Sequence, residues 1–242
     1  MDFKVGVFDS GIGGLSILSE LEKVLPNEDF YYYGDSLNNP YGEKSDEELF
    51  KITSEVVDYL INKGCKLIVI ACNTATTRCM KYLREKYQDI TFVGTVPAIK
   101  VACDREFKNT LVMATPATIE SERTSELIRD NKRRDQNIYL VSCPGLARAI
   151  EVKDKEEIEE ILKNTFSEYK DKNIDSIVLG CTHYPFIKEE ILKEMPDVSL
   201  IDGARGVSLE VKRQLENKEH LSEKRDRKIV IYNSLTKEEV IK

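Results

Sequence analysis

Short hydrophobic runs alternate with amphipathic segments along the whole chain. Nine runs of mostly β-branched and aliphatic residues read as strands, and most are separated by segments with apolar residues at three- or four-residue steps. The predicted strands cover residues 5–8, 30–33, 67–71, 91–94, 111–114, 138–142, 176–179, 198–201 and 229–232. Such alternation is typical of a mostly parallel sheet with helices on both faces. The pattern therefore predicts an α/β fold.

The clearest helical pattern covers residues 46–63. Its apolar residues fall on one face, namely Leu49, Ile52, Val56 and Leu60. Ser45 and Glu48 form a capping-box pattern at its start, and Gly64 is a suitable end. A second helix is predicted over residues 15–25, before Pro26.

A weak internal repeat relates residues 4–18 to residues 109–121. Each segment is a strand, then a loop of Ser, Thr, Gly or Pro, then a helix. We therefore expect two similar, pseudo-symmetric three-layer α/β domains with mostly parallel sheets and an active site in the cleft between them. The predicted domains are residues 1–96 with 207–242, and residues 97–206, with the last strand returning to the first domain.

Two cysteines stand at corresponding places in the two halves. Residues 66–76 and 176–185 each contain an apolar run, a small residue, a cysteine and then hydrogen-bonding side chains. Sites in open α/β sheets lie beyond the carboxyl ends of the strands, so Cys72 and Cys181 are candidate catalytic residues. Two thiols facing one substrate suit removing a proton from one face of a carbon and adding one to the other. The alternative is that each cysteine is a small core residue.

Polar residues follow both cysteines. Asn73 and Thr74 precede a predicted helix, whose N-terminus would stabilise a Cys72 thiolate. His183 lies two residues beyond Cys181, where it could assist proton transfer, although a capping or core histidine is the alternative.

Three further loops offer candidate binding groups. Asp9 and Ser10 open a glycine-rich loop that suits an anion or a carboxylate, and Asp9 could orient a thiol or an amino group. The loop lacks the GxGxxG pattern of a dinucleotide site. The remaining candidates are Asp35, Ser36, Tyr41 and Gly42 in the second loop, and Thr115 and Thr118 in the third. A bare turn is the alternative for each.

Composition narrows the function classes. The net charge of −7 over 242 residues argues against a nucleic-acid groove or an anionic membrane surface. The longest apolar run is too short to span a bilayer, and no export signal is visible, so we expect a cytoplasmic protein with free thiols. Two histidines without ligand spacing and six cysteines without a CxxC pair argue against a metal.

Four cysteines and one glutamate have less distinctive settings. Packing roles are predicted for Cys65, Cys79, Cys103 and Cys143. Glu151 follows a short apolar stretch, where a lone glutamate is more often a surface residue.

Six motifs in residues 4–205 resemble those of glutamate racemases, within the aspartate/glutamate racemase superfamily. They are DSGIGG, GDS…PYG, ACNTAT, ATPATIES, CPG…E and LGCTHYP. The resemblance implies a cofactor-independent two-base racemase that interconverts L- and D-glutamate and supplies D-glutamate for peptidoglycan synthesis. It also suggests a homodimer. Pyridoxal phosphate is not expected, because no lysine is singled out for a Schiff base.

The resemblance also implies residue roles. Cys72 would act on D-glutamate with the help of Asp9, and Cys181 on L-glutamate with the help of His183, with Glu151 near that side. Substrate contacts would fall on Ser10, Tyr41, Gly42, Asn73, Thr74, Thr115, Thr118 and Thr182, to which the second loop adds Asp35 and Ser36.

The chain departs from the family pattern at Asn38 and Asn39, where an arginine is common. Aspartate is therefore an alternative substrate. An isomerase or decarboxylase of the same superfamily is a second candidate activity. A third candidate is a catalytically silent protein that binds an acidic amino acid. Binding alone needs neither thiol, so the presence of both thiols argues against a silent binding protein.

Overall fold

The computed structural model describes residues 4–223 and 226–242. The strands are β1 (Lys4–Asp9), β2 (Asp29–Gly34), β3 (Cys65–Ile70), β4 (Thr91–Gly94), β5 (Asn109–Ala114), β6 (Asn137–Ser142), β7 (Ser176–Leu179), β8 (Ser199–Ile201), β9 (Ile229–Asn233) and β10 (Glu239–Ile241). The helices are α1 (Leu15–Val24), α2 (Asp46–Asn62), α3 (Asn73–Lys86), α4 (Ile99–Asp104), α5 (Pro116–Ile119), α6 (Glu122–Asn131), α7 (Leu146–Val152), α8 (Lys155–Ser167), α9 (Lys188–Glu194) and α10 (Ala204–Asn217).

The described residues form two compact units. The first comprises the residues up to Thr95 together with Ala204–Lys242, and the second comprises Val96–Gly203. The sequence prediction placed the boundaries after residues 96 and 206. The second boundary lies earlier because α10 begins at Ala204 and packs along α1 in the first unit.

The first unit contains a six-stranded sheet in the order β10-β9-β2-β1-β3-β4. All neighbours are parallel except β9 and β10. α1 and α10 cover one face, and α2 and α3 cover the other. The predicted return of the last strand is confirmed, because β9 pairs with β2.

The second unit contains a four-stranded parallel sheet in the order β6-β5-β7-β8. α7, α8 and α9 pack on one face, and α4 and α6 on the other. Each unit therefore has three layers. The order repeats β2-β1-β3-β4 of the first sheet, which confirms the prediction of two similar α/β halves. In both sheets the strand order reverses beside the first strand of the repeat, between β1 and β3 and between β5 and β7, where ligands bind in open α/β folds.

Local sequence signals explain where α2 begins and ends. The Ser45 hydroxyl accepts from the Glu48 backbone N–H, and the Glu48 carboxylate accepts from the Ser45 N–H, which completes the predicted capping box. Gly64 follows the helix with φ of 89°, a conformation that favours glycine.

Some predicted boundaries shift. β10 was not predicted, because its residues are exposed and lack a buried face. The charged segment 217–228 is typical of a solvated loop or a frayed helix. In the structure Asn217 ends α10, residues 218–223 are exposed or half-buried, and residues 224–225 lie outside the described part. In the described ranges, no helix combines the length and apolar character needed to cross a bilayer.

Candidate active site

Cys72 lies beyond the carboxyl end of β3 and is the N-cap of α3. The sequence predicted a helix from Ala75, but the helix begins at Asn73, and the Cys72 Sγ accepts from the Ala75 backbone N–H at 3.5 Å. The side chain is buried, with 6% of its surface exposed. Backbone N–H groups and the positive end of the helix dipole at a helix N-terminus are the kind of setting that stabilises negative charge.

Asn73 and Thr74 form the first turn of α3, and both are buried. Within the described ranges, no donor reaches the Asn73 Oδ1. Buried polar atoms are nearly always paired, so an acceptor left open beside Cys72 is the kind of group that a ligand would satisfy.

The loop after β1 lies next to the Cys72 loop, because β1 and β3 are adjacent strands. Asp9 is fully buried at its start, and its Oδ2 accepts from the Gly11 N–H at 3.2 Å. Tyr32 donates to the Gly11 carbonyl at 2.6 Å. A Cβ on Gly14 would lie 2.6 Å from the Asp9 Cβ, so the tight packing of this loop requires glycine there. Ser10 is buried beside Asp9.

The loop after β2 is built around the fully buried Asp35. Its carboxylate accepts from the Tyr41 hydroxyl at 2.7 Å, from the Ser234 hydroxyl at 2.8 Å, and from the Asn38 amide at 3.0 and 3.1 Å. Both Asp35 oxygens are thus engaged by protein donors. Ser36 accepts from the Asn233 amide at 3.1 Å.

Tyr41 is buried, whereas the adjacent Gly42 is exposed. Burial, followed by the charges of Asp35, Cys72 and Asp9, raises the Tyr41 pKa well above its usual value, so the phenol stays protonated. The loops after β1, β2 and β3 therefore place a phenol, a carboxylate and a thiol in one neighbourhood.

Cys181 lies beyond the carboxyl end of β7, after Gly180. A Cβ on Gly180 would lie 2.8 Å from the Met113 carbonyl oxygen, which explains the glycine. Pro185 favours the first turn of a single helix that would include Ile187 and Ile191. The structure instead has a 3₁₀ helix at Tyr184–Ile187, followed by α9 from Lys188. Cys181 therefore does not cap a long α-helix, and its environment differs from that of Cys72.

His183 supplies the distinguishing feature of the Cys181 environment. Its Nδ1 lies 3.8 Å from the Cys181 Sγ, and its Nε2 lies 2.5 Å from the Glu151 Oε2. The histidine side chain is 2% exposed and that of Glu151 is 15% exposed. The Glu151 carboxylate therefore turns inward from α7 to pair with the histidine, on the side of Cys181 to which the resemblance assigned it, and the alternative of a surface residue does not hold.

The predicted threonines of the second unit lie on the neighbouring loops. Thr115 is the N-cap of α5, where its Oγ1 accepts from the Thr118 N–H at 3.4 Å and lies 3.0 Å from the Thr118 hydroxyl. β5 and β7 are adjacent, so this loop neighbours the loop that carries Cys181 and the buried Thr182.

Sequence reasoning missed Tyr184 and Ser234. Tyr184 is fully buried with its phenol towards Cys143, and burial raises the pKa of the Cys143 thiol to about 12. The signal for Tyr184 was present, since it follows His183 in the GCTHYP motif. Ser234 had no local signal, because it reaches Asp35 only through the pairing of β9 with β2.

The remaining cysteines are all buried, in agreement with their predicted packing roles, namely Cys65, Cys79, Cys103 and Cys143. Across residues 4–223 and 226–242, no group of three or more His, Cys, Asp or Glu side chains is arranged to hold a metal ion.

Comparisons with known proteins identify the relatives of this chain. A model of the Asp/Glu/Hydantoin racemase family matches residues 16–206. A glutamate racemase of Clostridium botulinum (strain Kyoto / Type A2) is 46% identical over 99% of this chain and 95% of that protein. The crystal structure of a glutamate racemase isoform from Bacillus anthracis is 30% identical, with a TM-score of 0.84 over 96% of this chain and 88% of that one.

A further solved structure is that of the Francisella tularensis glutamate racemase in complex with D-glutamate. It is 32% identical, with a TM-score of 0.83 over 96% of this chain and 88% of that one. The family match spans most of the chain, and the identity extends over nearly its full length. The chain therefore belongs to the Asp/Glu/hydantoin racemase family, together with the glutamate racemases.

Proposed function

We propose that this protein interconverts L- and D-glutamate by proton transfer at Cα, with Cys72 and Cys181 as the two acid–base groups and no cofactor. One observation carries the proposal: each thiol lies beyond the carboxyl end of a strand at the point where the strand order of its sheet reverses. This is where an open α/β sheet binds its ligand. A racemase of the two-base type needs one such thiol for each face of the substrate.

The chemistry requires one thiolate and one thiol at the start of each turnover. The thiolate removes the α-proton, and the electron pair of the broken C–H bond stays on the substrate as a carbanion. The second thiol then gives its proton to the opposite face of that carbon and becomes a thiolate. The configuration is inverted, and the two cysteines have exchanged protonation states, so the next turnover starts from the opposite enantiomer.

The two environments support different roles. Cys72 is assigned to D-glutamate, where the N-terminus of α3 stabilises its thiolate and the neighbouring Asp9 assists proton transfer. Cys181 is assigned to L-glutamate, with His183 beside its Sγ and Glu151 behind the imidazole. The developing carbanion charge needs preorganised donors, which the loops around both cysteines supply.

Glutamate is favoured as the substrate because the relatives with 44–46% identity over nearly the whole chain are named glutamate racemases. We assign the substrate contacts to hydroxyls, backbone N–H groups and the Asn73 amide. They are Ser10, Ser36, Tyr41, Gly42, Asn73, Thr74, Thr115, Thr118 and Thr182. Asp35 acts on the substrate through Tyr41, because its own oxygens are engaged by protein donors.

The biological setting follows from the same assignment. D-Glutamate made by this reaction would supply peptidoglycan synthesis in the cytoplasm. The partner is a small acidic amino acid, not a nucleic acid or a membrane, and the protein acts as a homodimer. Light scattering after gel filtration tests the dimer, and cell fractionation tests the location.

One experiment tests the reaction. The purified protein is incubated with L-glutamate in D₂O without added cofactor, and optical rotation and α-deuterium are followed, with L-aspartate as a parallel substrate. The expected result is full racemisation of glutamate with one deuterium at Cα. Cys72→Ser and Cys181→Ser should each lower the rate by at least about 10²-fold. Near-normal turnover by either variant would show that the two-thiol mechanism is wrong.

The same experiment assigns each thiol to one enantiomer. In Cys72→Ser the remaining Cys181 should exchange the α-proton of L-glutamate with solvent without inversion, and Cys181→Ser should do so with D-glutamate. If Cys72→Ser exchanged the α-proton of D-glutamate and Cys181→Ser that of L-glutamate, Cys72 would act on L-glutamate and Cys181 on D-glutamate.

A further inference from the structure

Ser234 links the C-terminal segment to the loop after β2. It follows β9 and is buried, with 5% of its surface exposed. Its backbone N–H donates to the Gly34 carbonyl at 3.0 Å, and its hydroxyl donates to the Asp35 Oδ1 at 2.8 Å. The same hydroxyl accepts from the Leu37 N–H at 3.0 Å. One serine thus engages the loop at three points.

The Asp35 carboxylate connects Ser234 to Tyr41 through hydrogen bonds. Its Oδ1 is held by Ser234, its Oδ2 accepts from the Tyr41 hydroxyl at 2.7 Å, and the Asn38 amide spans both oxygens. Its backbone N–H also donates to the Asp9 carbonyl at 2.9 Å. A planar carboxylate that is fixed at Oδ1 has a defined orientation at Oδ2, and the phenol follows that orientation.

We propose that Ser234 is a positioning residue that orients the Tyr41 phenol for substrate binding through Asp35. The proposal deepens the proposed function and rests on it. Tyr41 is the recipient because its phenol is buried near Cys72 and Asp9 and stays protonated. Its single proton is committed to Asp35, so its orientation depends on that carboxylate.

The expected effect falls on substrate binding more than on proton transfer. Tyr41 and Gly42 are assigned to binding, whereas Cys72 is held by the first turn of its own helix. Losing one hydrogen bond to a buried carboxylate should therefore raise the KM for glutamate while kcat changes little.

The test compares three variants with the wild type in the glutamate racemisation assay. Ser234→Ala removes the hydroxyl and should raise KM at least about five-fold. Ser234→Thr keeps the hydroxyl and should restore KM to near the wild-type value. Circular dichroism and a thermal melt on each variant show that it is folded.

Glu239→Gln is the matched control. Glu239 lies on β10, in the same hairpin, and accepts from the Tyr31 hydroxyl at 2.5 Å and from the Lys63 Nζ at 2.9 Å, away from Asp35. Glu239→Gln should lower the melting temperature and leave the KM for glutamate unchanged. It therefore separates a general loosening of the hairpin from a loss of Tyr41 positioning.

The outcomes distinguish the two proposals. A wild-type protein that does not racemise glutamate overturns the proposed function and this inference with it. An active wild type whose KM is unchanged by Ser234→Ala overturns the positioning role alone. An equal rise in KM in Glu239→Gln also overturns it, because general loosening of the hairpin would then explain the effect.

Discussion

The His183 Nε2 lies 2.5 Å from the Glu151 Oε2, and the histidine is almost completely buried. A carboxylate accepts only, so Nε2 carries the proton in this pair. The second ring nitrogen, Nδ1, faces the Cys181 Sγ. Glu151 thereby selects the tautomer of the imidazole and orients it towards the thiol. His183 can accept the Cys181 proton, or it can stabilise the thiolate when doubly protonated.

Glu151→Gln should impair catalysis without unfolding the protein. The amide can donate as well as accept, so it no longer enforces the tautomer of His183. We expect kcat to fall about 10- to 100-fold, less than the full contribution of a general acid–base group. The two enantiomers have equal free energies, so kcat/KM must remain equal in both directions, and kcat is measured separately from each side.

The matched control is Glu157→Gln. Glu157 lies in the same unit, on α8, and pairs with Arg148 at 2.6 Å on the surface. Its variant should keep wild-type kcat. A Glu151→Gln protein with unchanged kcat would instead make the His183–Glu151 pair a structural contact.

Cys72→Ser should separate stability from activity. Serine is preferred over most residues as an N-cap, whereas a thiol is a weak acceptor. The Cys72 Sγ accepts from the third residue of α3, and a serine hydroxyl can do the same. The free energy of unfolding should therefore stay constant or rise by up to about 1 kcal/mol, while racemisation is lost.

Urea denaturation of two further variants checks whether residue 72 stabilises the protein by capping α3. Cys72→Ala removes the cap and should lower the free energy of unfolding by about 0.5–2 kcal/mol. Cys181→Ser should show no gain in stability, because Cys181 does not cap an α-helix. A Cys72→Ser protein that is less stable than Cys72→Ala would contradict the capping role.

Much of the fold was predictable because the signals are local. Nine of the ten strands in the described residues follow from runs of apolar residues, and the capping box marks the start of α2. The positions of Cys72 and Cys181 followed from the ends of two such runs. The strand between residues 239 and 241 was missed because it buries no apolar face and pairs only at the edge of the sheet.

The contacts that define the candidate site were less predictable, because they join distant parts of the chain. His183 and Glu151 are 32 positions apart, and Ser234 and Asp35 are 199 apart. Such pairs depend on how helices and strands pack and on the register between them. No spacing rule gives that register. The residues alone therefore favoured a surface position for Glu151, which only the family resemblance placed near Cys181, and they did not single out Ser234.

Asn73 should contribute to substrate binding at a cost in stability. Its Oδ1 is buried without a donor in the described part of the chain, and an unsatisfied buried acceptor is unfavourable. Asn73→Ala removes that atom, so we expect unchanged or slightly higher stability in urea and a KM for glutamate raised by about 10-fold or more.

The control for Asn73 is Thr76→Val, in the next turn of α3. The Thr76 hydroxyl donates to the Ile70 carbonyl at 3.1 Å and accepts from the Thr95 N–H at 3.1 Å, so its loss should lower stability. An Asn73→Ala variant that is similarly destabilised and keeps its KM would show that the amide has a structural role.

Three buried thiols should make the protein less stable at alkaline pH. Burial raises the pKa of Cys65 and Cys143 to about 12 and that of Cys79 to about 11, from an ordinary value near 9. In the unfolded chain these thiols ionise near pH 9, whereas in the folded protein they stay protonated. Above pH 9 the folded state therefore binds more protons than the unfolded state, and the free energy of unfolding falls as pH rises.

Below pH 9 the protein keeps the full stability that goes with each protonated, buried thiol. Between pH 9 and the pKa of that thiol in the folded state, the free energy of unfolding falls by up to about 1.4 kcal/mol per pH unit for each thiol. Urea denaturation at several values between pH 8 and 11 measures this slope. Cys65→Ala should give a shallower slope, because one of the three thiols is gone. Val7→Ala removes buried volume from the adjacent β1 without removing a thiol, so it should lower stability equally at every pH. A Cys65→Ala protein with the wild-type slope would mean that this thiol ionises equally in both states.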